Sequence, residues 1–432
     1  MTSGTTQVAR EQAARRAIRG GVVGNYVDQF DIFLPVIALV PAAAALFGPE
    51  HAGANTGLVF VATLLGRPLG SIIFGPMADR LGRTRVTKIA LLGIFATTLG
   101  IALVPDFHTL GIWTLWLIAL LRFLGGVFLG GEYSAAIPLA LEWTPQRRRG
   151  LVSGLVMSMS PCANASIAAL TALLYAVLGA DGYARWGWRA LFCLGALLAL
   201  ALFFYYQRHV RDAPVQRSES ARRAEARPLA QLFSGRSRYA FMGVFILMSG
   251  LWIMTNMAVV VLTRALSTQA QLPAQRVTLV MFAATLLSAP AMLLAGHAST
   301  FVGRRRFFIA FGLASAVLAP LLYALVPVVP SLAAVVAAAC ALQWATVAGY
   351  GPVGAHLVEQ FPSRVRSSGY GIGYSVSIVL PALFPYYLPW LQRATGPVAA
   401  VALLLALAGL LVCTGGWLAR ANGQVNGTRQ AT

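Results

Sequence analysis

The 432-residue chain is poor in charge: Asp, Glu, Lys and Arg make up 11% of it, only 13 residues are acidic, and Lys88 is the sole lysine. A soluble domain carries about 25% charged and 45–50% apolar residues. The 58% apolar content here excludes that class. Cysteine is scarce as well. Cys162, Cys193, Cys340 and Cys413 all fall inside apolar runs, which excludes an extracellular disulfide framework and marks them as packing residues. Lys88 follows Thr87 without a G-K-[ST] pattern, so ATP is not the direct energy source by that route. No H-E-x-x-H pair occurs and the histidines are scattered, so neither a metal, a cofactor nor an enzyme active site is expected. His297 and His356 lie towards the cytoplasmic ends of two apolar runs and read as solvated groups, with a titrating role as the alternative.

What the chain has in quantity is apolar stretches of about 20 residues, the length that crosses a bilayer as a helix. They fall at 22–47, 55–77, 86–104, 111–142, 150–178, 187–206, 239–263, 276–298, 306–326, 331–358, 366–391 and 396–418. They lack the alternation of barrel strands, so the expected fold is an all-α membrane bundle of about twelve transmembrane helices. The formal charge of +20 sits in the gaps between these runs, which argues against nucleic acid. Arg10, Arg15, Arg16, Arg19, Arg80, Arg83, Arg85, Lys88, Arg147 to Arg149, Arg304 to Arg306, Arg364, Arg366, Arg420, Arg429 and the arginines from Arg208 to Arg238 share one side. Only Arg185, Arg189, Arg264, Arg276 and Arg393 fall on the other. The positive-inside rule then puts both termini in the cytoplasm. Asp28 and Asp31 interrupt the first run, which is also too long for a cleaved signal peptide.

Two motifs are written twice. Glu142-x-x-Pro145-x-Arg147-x-Arg149 recurs as Glu359-x-x-Pro362-x-Arg364-x-Arg366, and Gly75-x6-Gly82-Arg83 recurs as Gly296-x6-Gly303-Arg304, at nearly the same separation. Two six-helix halves are expected, 21–206 and 239–418, flanked by cytoplasmic segments 1–20 and 419–432 and joined by an Arg- and Ser-rich linker at 207–238. Parallel repeats of this kind form a cavity at their interface and alternate access by rocking.

The stretch Gly75-Pro-Met-Ala-Asp79-Arg80-Leu-Gly82-Arg83 resembles the signature loop of the major facilitator superfamily. Gly24-Asn25-x-x-Asp28-x-x-Asp31, Arg67-Pro68-Leu69-Gly70, Arg122-x7-Gly130-Gly131-Glu132, Gly187-Trp188-Arg189 and Gly351-Pro352 resemble its metabolite:proton symporter family. The resemblance implies a charge network at the repeated loops that braces one conformation, with Asp79, Arg80, Arg83, Glu142, Arg147, Glu359 and Arg364 as its candidates. Thr300 stands where Asp79 stands in the first copy, so the carboxy half must be held in another way. Gln29 and Phe30 replace an aromatic pair common in that family, and Gly125 a glutamine, so no substrate transfers directly. Gly125-Gly126 and Gly130-Gly131 read as close helix packing rather than nucleotide binding.

Ionisable groups at mid-bilayer cost at least about 2.5–3.5 kcal/mol each and usually face a partner. Asp28, Asp31, Arg67, Arg122 and Glu132 are such groups, and all lie in the amino half. Asp31 and Arg67 each fall roughly 15 Å from the cytoplasmic ends of their runs. The coupling expectation is that Asp31, assisted by Asp28 or Glu132, takes the proton while Arg122 or Arg67 exchanges between carboxylate and substrate. The alternative is that they are permanent structural ion pairs. Substrate contacts are expected from Asn25 and Gln29, and in the carboxy half from Asn256, Trp252, Gln343 and Tyr350, which otherwise serve as anchors or packing residues. Trp344 belongs with this aromatic set.

Together these features lead to the expectation of a monomeric, multi-pass inner-membrane symporter of a small organic acid or zwitterion with protons. Its partners are that small molecule, protons and the bilayer. A proton-coupled exporter of an amphipathic compound and a metabolite sensor are the rivals. The first would want a helix-five motif not evident around Ser158 to Pro161, and the second an appended soluble domain.

Overall fold

The structure is a computed structural model that describes residues 2–48, 52–213, 228–326, 328–329 and 331–419. The middle of the expected linker, including Arg217, Arg222, Arg223 and Arg227, and the tail from Arg420 onward lie outside the described residues. No strand occurs among the described residues.

The helices are α1 Thr2–Ile37, α2 Ala43–Phe47, α3 Ala52–Leu81, α4 Arg83–Ala102, α5 Phe107–Leu110, α6 Trp113–Glu142, α7 Arg149–Met157, α8 Met159–Gly182 and α9 Trp188–His209. They continue with α10 Pro228–Leu232, α11 Gly235–Thr255, α12 Leu262–Thr268, α13 Ala274–Val302, α14 Arg304–Leu325, α15 Leu332–Thr346, α16 Val353–Gln360, α17 Arg366–Val376, α18 Val379–Ala382, α19 Phe384–Thr395 and α20 Pro397–Leu418. Among the described residues, ten helical stretches are long and apolar enough to span a bilayer, or eleven if the pair bent by 44° at Leu383 is one span. One of the ten, Gln146–His209, runs for 64 residues and contains two expected crossings, separated by a kink at Gly179 (φ +69°) and a π-turn at Tyr183–Gly187. Twelve crossings fit this pattern.

Local departures have backbone causes. The first run ends at Ile37 rather than at 47, where a 3-10 turn at Val40–Ala42 precedes α2; Pro41 supplies no N–H to continue the helix. Its helix also starts at Thr2, inside the segment expected to precede the membrane. The tenth run is interrupted by the 3-10 turn Val347–Tyr350, followed by Gly351-Pro352. Gly82 and Gly303, the second glycines of the repeated motif, have φ of +95° and +88°. A side chain there would meet the left-handed penalty, which explains glycine at both junctions.

The chain forms two compact units. The first comprises Met1–Thr144, Cys162–Pro228 and Ser363–Ser375; the second comprises Pro145–Pro161, Leu229–Pro362 and Val376–Thr432. They follow the sequence halves except for two segments, each of which packs with the other half's helices. The repeated glycines account for this. A Cβ on Gly75 would approach Ser368 Cα to 2.9 Å, and one on Gly296 would approach Gly154 Cα to 2.7 Å. In each copy the absent side chain lets the exchanged segment come close.

Within the first unit, α3 and α6 lock through glycine. A Cβ on Gly66, Gly70, Gly126 or Gly130 would collide with the backbone of the opposite helix, at Phe123, Val127, Thr63 and Arg67 respectively. Small residues four apart let membrane helices approach in this way. Helix α1 sends Phe30 and Leu34 into an apolar cluster with Trp188 and Phe192, and Val27 and Ile32 into another with Leu91, Ile94 and Leu129. Arg189 donates to the carbonyls of Ala102 at 2.7 Å and Val104 at 2.8 Å, satisfying the end of α4. The four cysteines are free.

Gly70→Leu is expected to lower stability by about 1–3 kcal/mol or more through overpacking against Val127. Gly57→Leu, where no atom lies within 4 Å of the added Cβ, serves as its control. Thermal unfolding in lipid nanodiscs compares the two; equal melting temperatures would contradict the glycine contact.

Candidate functional site

The five intramembrane charges all belong to the first unit, and none is more than 3% exposed. They divide into two groups. Arg122 on α6 donates to both carboxylate oxygens of Asp31 on α1, at 3.0 and 3.1 Å, and to the Asp31 main-chain carbonyl at 3.0 Å. Thr98 on α4 completes the pair: it donates to Asp31 and accepts from Arg122 at 3.2 Å. The guanidinium also lies over the Phe192 ring, 5.4 Å from its centre. A two-pronged guanidinium–carboxylate contact enclosed by a threonine and an aromatic ring is a strong, closed arrangement.

The second group is less satisfied. Asp28 on α1 and Glu132 on α6 have their carboxyl groups within hydrogen-bonding reach of each other. No N–H or O–H donor reaches any of their four oxygens. Gly24 permits this approach, since a Cβ there would come within 2.7 Å of Glu132 Oε1. Tyr206 on α9 lies beside the pair with its hydroxyl unpartnered. Arg67 on α3 is a nearby cation, yet among the described residues it makes no salt bridge; its Nε and one terminal nitrogen meet no acceptor. Its guanidinium faces the rings of Tyr133, 5.1 Å from the centre, and Tyr374, at 5.7 Å. Cation–π contacts of this kind contribute about 0.5–2 kcal/mol.

Tyr374 lies on α17, within the exchanged segment. Its hydroxyl accepts from Tyr133 at 3.0 Å, its ring lies 4.4 Å from Tyr133, and the Ser71 and Ser375 hydroxyls are 2.8 Å apart. The start of α17 is held by the signature loop. Asp79 accepts from the backbone N–H groups of Ser367 and Ser368, each at 2.9 Å, and from the Ser368 hydroxyl at 2.7 Å. A carboxylate at a helix N-terminus satisfies orphan donors and opposes the helix dipole. Arg83 donates to Ser367 Oγ at 2.9 Å and pairs with Glu142, which also pairs with Arg366. Asp79 and Arg83 are 3.9 Å apart.

In the second unit the equivalent loop contains Thr300. Arg304 pairs with Glu359 at 3.6 Å and donates to Ser299, and Thr300 stands where the first copy has the Asp79 carboxylate. Helix α7 is held by backbone approaches of Gly150 and Gly154 to α13, and by Ser153, which donates to the Gly351 carbonyl at 2.6 Å and accepts from Ala355 N–H at 3.1 Å. His356, read from sequence as solvated, is buried against Phe308 at 4.8 Å and neither ring nitrogen has a hydrogen-bond partner; His297 is exposed.

The other sequence candidates fall as follows. Asn25 and Gln29 are buried on α1. In the second unit Trp252 packs edge-on to Tyr350 at 5.6 Å, and Thr255 donates to the Tyr350 hydroxyl at 3.2 Å. Asn256 opens a π-turn, Asn256–Val261, and donates to the Pro381 carbonyl at 2.9 Å. Gln343 is buried and reaches Thr285 at 3.4 Å. Trp344 is exposed and donates to the Leu287 carbonyl at 3.0 Å. Arg80, Arg147 and Arg364 are exposed. Sequence reasoning missed Thr98, Tyr133, Tyr206, Tyr370 and Tyr374, because an aromatic or hydroxyl residue in an apolar run carries no charge signal.

Comparison with known proteins agrees with this architecture. The model described as Major Facilitator Superfamily matches residues 23–272, and that described as Sugar (and other) transporter matches 210–417. The inner membrane metabolite transport protein YhjE of Escherichia coli is 29% identical over 406 residues, covering 91% of this chain and 92% of that one. The glycine betaine/proline/ectoine/pipecolic acid transporter OusA of Dickeya dadantii is 31% identical over 206 residues, 46% of this chain and 40% of the other. The structure of the proton:xylose symporter XylE superposes with a TM-score of 0.71 at 16% identity, covering 94% and 95% of the two chains; XylE is an E. coli protein.

Arg122→Gln leaves Asp31 buried without its counter-charge, and a loss of about 3–5 kcal/mol is expected. Asp31→Leu combined with Arg122→Leu removes both charges and is expected to recover most of it. Thermal unfolding checks both, and an Arg122→Gln protein as stable as the parent would contradict the closed pair.

Proposed function

Because the chain belongs to the major facilitator superfamily, we propose that this multi-pass membrane protein is a secondary active transporter that moves a small organic acid or zwitterion together with protons by alternating access. The observation that carries the proposal is the sealed set of five ionisable residues in one unit of an otherwise apolar bundle. Charges of both signs at this depth mark ion and substrate pathways. The set contains three carboxyls, Asp28, Asp31 and Glu132, against two guanidiniums, Arg67 and Arg122. It reaches neutrality by taking one proton, which gives protons a place in the cycle.

Proton coupling also agrees with the description of XylE as a proton symporter. A zwitterionic substrate agrees with the names of the compounds OusA carries, and an organic acid with the resemblance of the first-helix and signature-loop motifs. The two half-chains, 21–206 and 239–418, are proposed to act as the repeats, with the inner membrane as the site and the termini in the cytoplasm. Substrate-facing polar groups are assigned to Asn25, Gln29 and Arg67 in the first unit and to Trp252, Asn256, Gln343 and Tyr350 in the second. Arg122 reaches a substrate only if its clamp on Asp31 opens. Asp79, Arg83, Glu142 and Arg366 form the latch on α17, and Arg304 with Glu359 its partial counterpart.

Uptake of labelled dicarboxylates, tricarboxylates, aromatic acids and betaine by cells overproducing the protein tests this reading. Accumulation of one of them, abolished by a protonophore, is the expected result, with Asp28→Asn, Asp31→Asn or Glu132→Gln each reducing it at least about tenfold. Extrusion of a toxic compound in place of accumulation would reverse the assigned direction.

A further inference from the structure

The proton balance of the buried set can be resolved to atoms. Asp31 and Arg122 neutralise each other through hydrogen bonds to both carboxylate oxygens. Asp28 and Glu132 have no such partner, and their carboxyl groups nevertheless face each other within hydrogen-bonding reach. Two ionised carboxylates in that position repel; one proton between them turns the contact into an O–H···O⁻ hydrogen bond. Arg67, which faces the pair, does not close on it. Its guanidinium is instead over Tyr133 and Tyr374.

We propose that Asp28 and Glu132 hold a single proton between them, and that Arg67 relays its loss to Tyr374, so that the docking of segment 363–375 depends on protonation of the pair. The inference rests on the proton-coupled reading and deepens it, naming the proton site and the element it controls. When the pair gives its proton to water, two carboxylates remain. Among the described residues, Arg67 is the cation near them that no carboxylate engages, and it is drawn off the tyrosine rings towards them. Tyr374 then loses its cation contact, and α17 loses one of the attachments that hold it beside Tyr133, Ser71 and Asp79.

The other groups around the pair do not substitute for Arg67. Asp31, on α1, faces Arg122; Tyr206 on α9, Tyr133 on α6, and Tyr370 and Tyr374 on α17 bring hydroxyls but no positive charge. Arg67 and Tyr374 are positioning residues, and Asp28 with Glu132 the proton-bearing ones.

The test needs no substrate. Amide hydrogen exchange of the 363–376 peptide is measured on the full chain in lipid nanodiscs, in mildly acidic and mildly alkaline buffer, and corrected for intrinsic exchange. In the parent protein, protection is expected to fall about tenfold on going to alkaline buffer. Asp28→Asn combined with Glu132→Gln, which mimics the protonated pair, is expected to stay protected at both. Arg67→Gln is expected to be weakly protected at both. If the double variant does not fold, Tyr374→Leu takes its place, with low protection and no pH dependence expected. Parent protection that does not change with pH overturns the proposal, as does a pH dependence that persists in Arg67→Gln or Tyr374→Leu. Transport activity does not enter these readouts, so their failure leaves the transporter reading standing, and the failure of uptake assays leaves this one standing.

Discussion

An ionised group enclosed by lipid-facing helices has to find its counter-charge inside the same packed body, because no water is there to replace it. In the first unit that constraint organises α1, α3, α4, α6 and α9. Glycine contacts bring α3 and α6 together, and so set Arg67 close to Glu132 and Asp28. Helix α4 supplies Thr98 to the Asp31–Arg122 pair, and α9 supplies Phe192 and Tyr206 as walls. With three carboxyls and two guanidiniums, the interior is left one proton from neutrality.

The same first unit takes hold of a segment from the far end of the chain. Asp79 satisfies the N-terminus of α17 from the outside, and Arg83, Glu142 and Arg366 tie the neighbouring charges together. The second copy of the loop holds α7 by close backbone packing and by Ser153, with Thr300 in the place of the carboxylate and Arg304 paired to Glu359. A charge-based attachment responds to electrostatic change, whereas one made of glycine contacts does not. The duplicated sequence has therefore produced two unlike attachments, one built on Asp79, Arg83, Glu142 and Arg366 and one that keeps the Arg304–Glu359 pair without the Asp79 carboxylate.

Much of the architecture was legible in the sequence, because length and apolarity are what a bilayer selects for. The repeated G-x6-G-R motif announced two related halves, and the structure adds that its second glycines, Gly82 and Gly303, both have positive φ. The five buried charges could be named from their positions in apolar runs. Their pairing could not: Asp28 and Asp31 are three residues apart on one helix, and which of them meets Arg122 depends on helix rotation and on where Gly24 lets Glu132 approach. The tyrosines around Arg67 were invisible for a different reason, since Tyr374 reaches it only through long-range packing of α17. Arg80, Arg147 and Arg364 share motifs with buried partners, yet they lie on exposed faces.

Infrared difference spectroscopy tests the central claim most directly, because the carbonyl stretch of a protonated carboxylic acid is distinct from that of a carboxylate. The account predicts one buried protonated carboxyl that is lost from the spectrum in Asp28→Asn combined with Glu132→Gln and retained in Asp31→Asn. A spectrum with no such band, or a band that only Asp31→Asn removes, would contradict it.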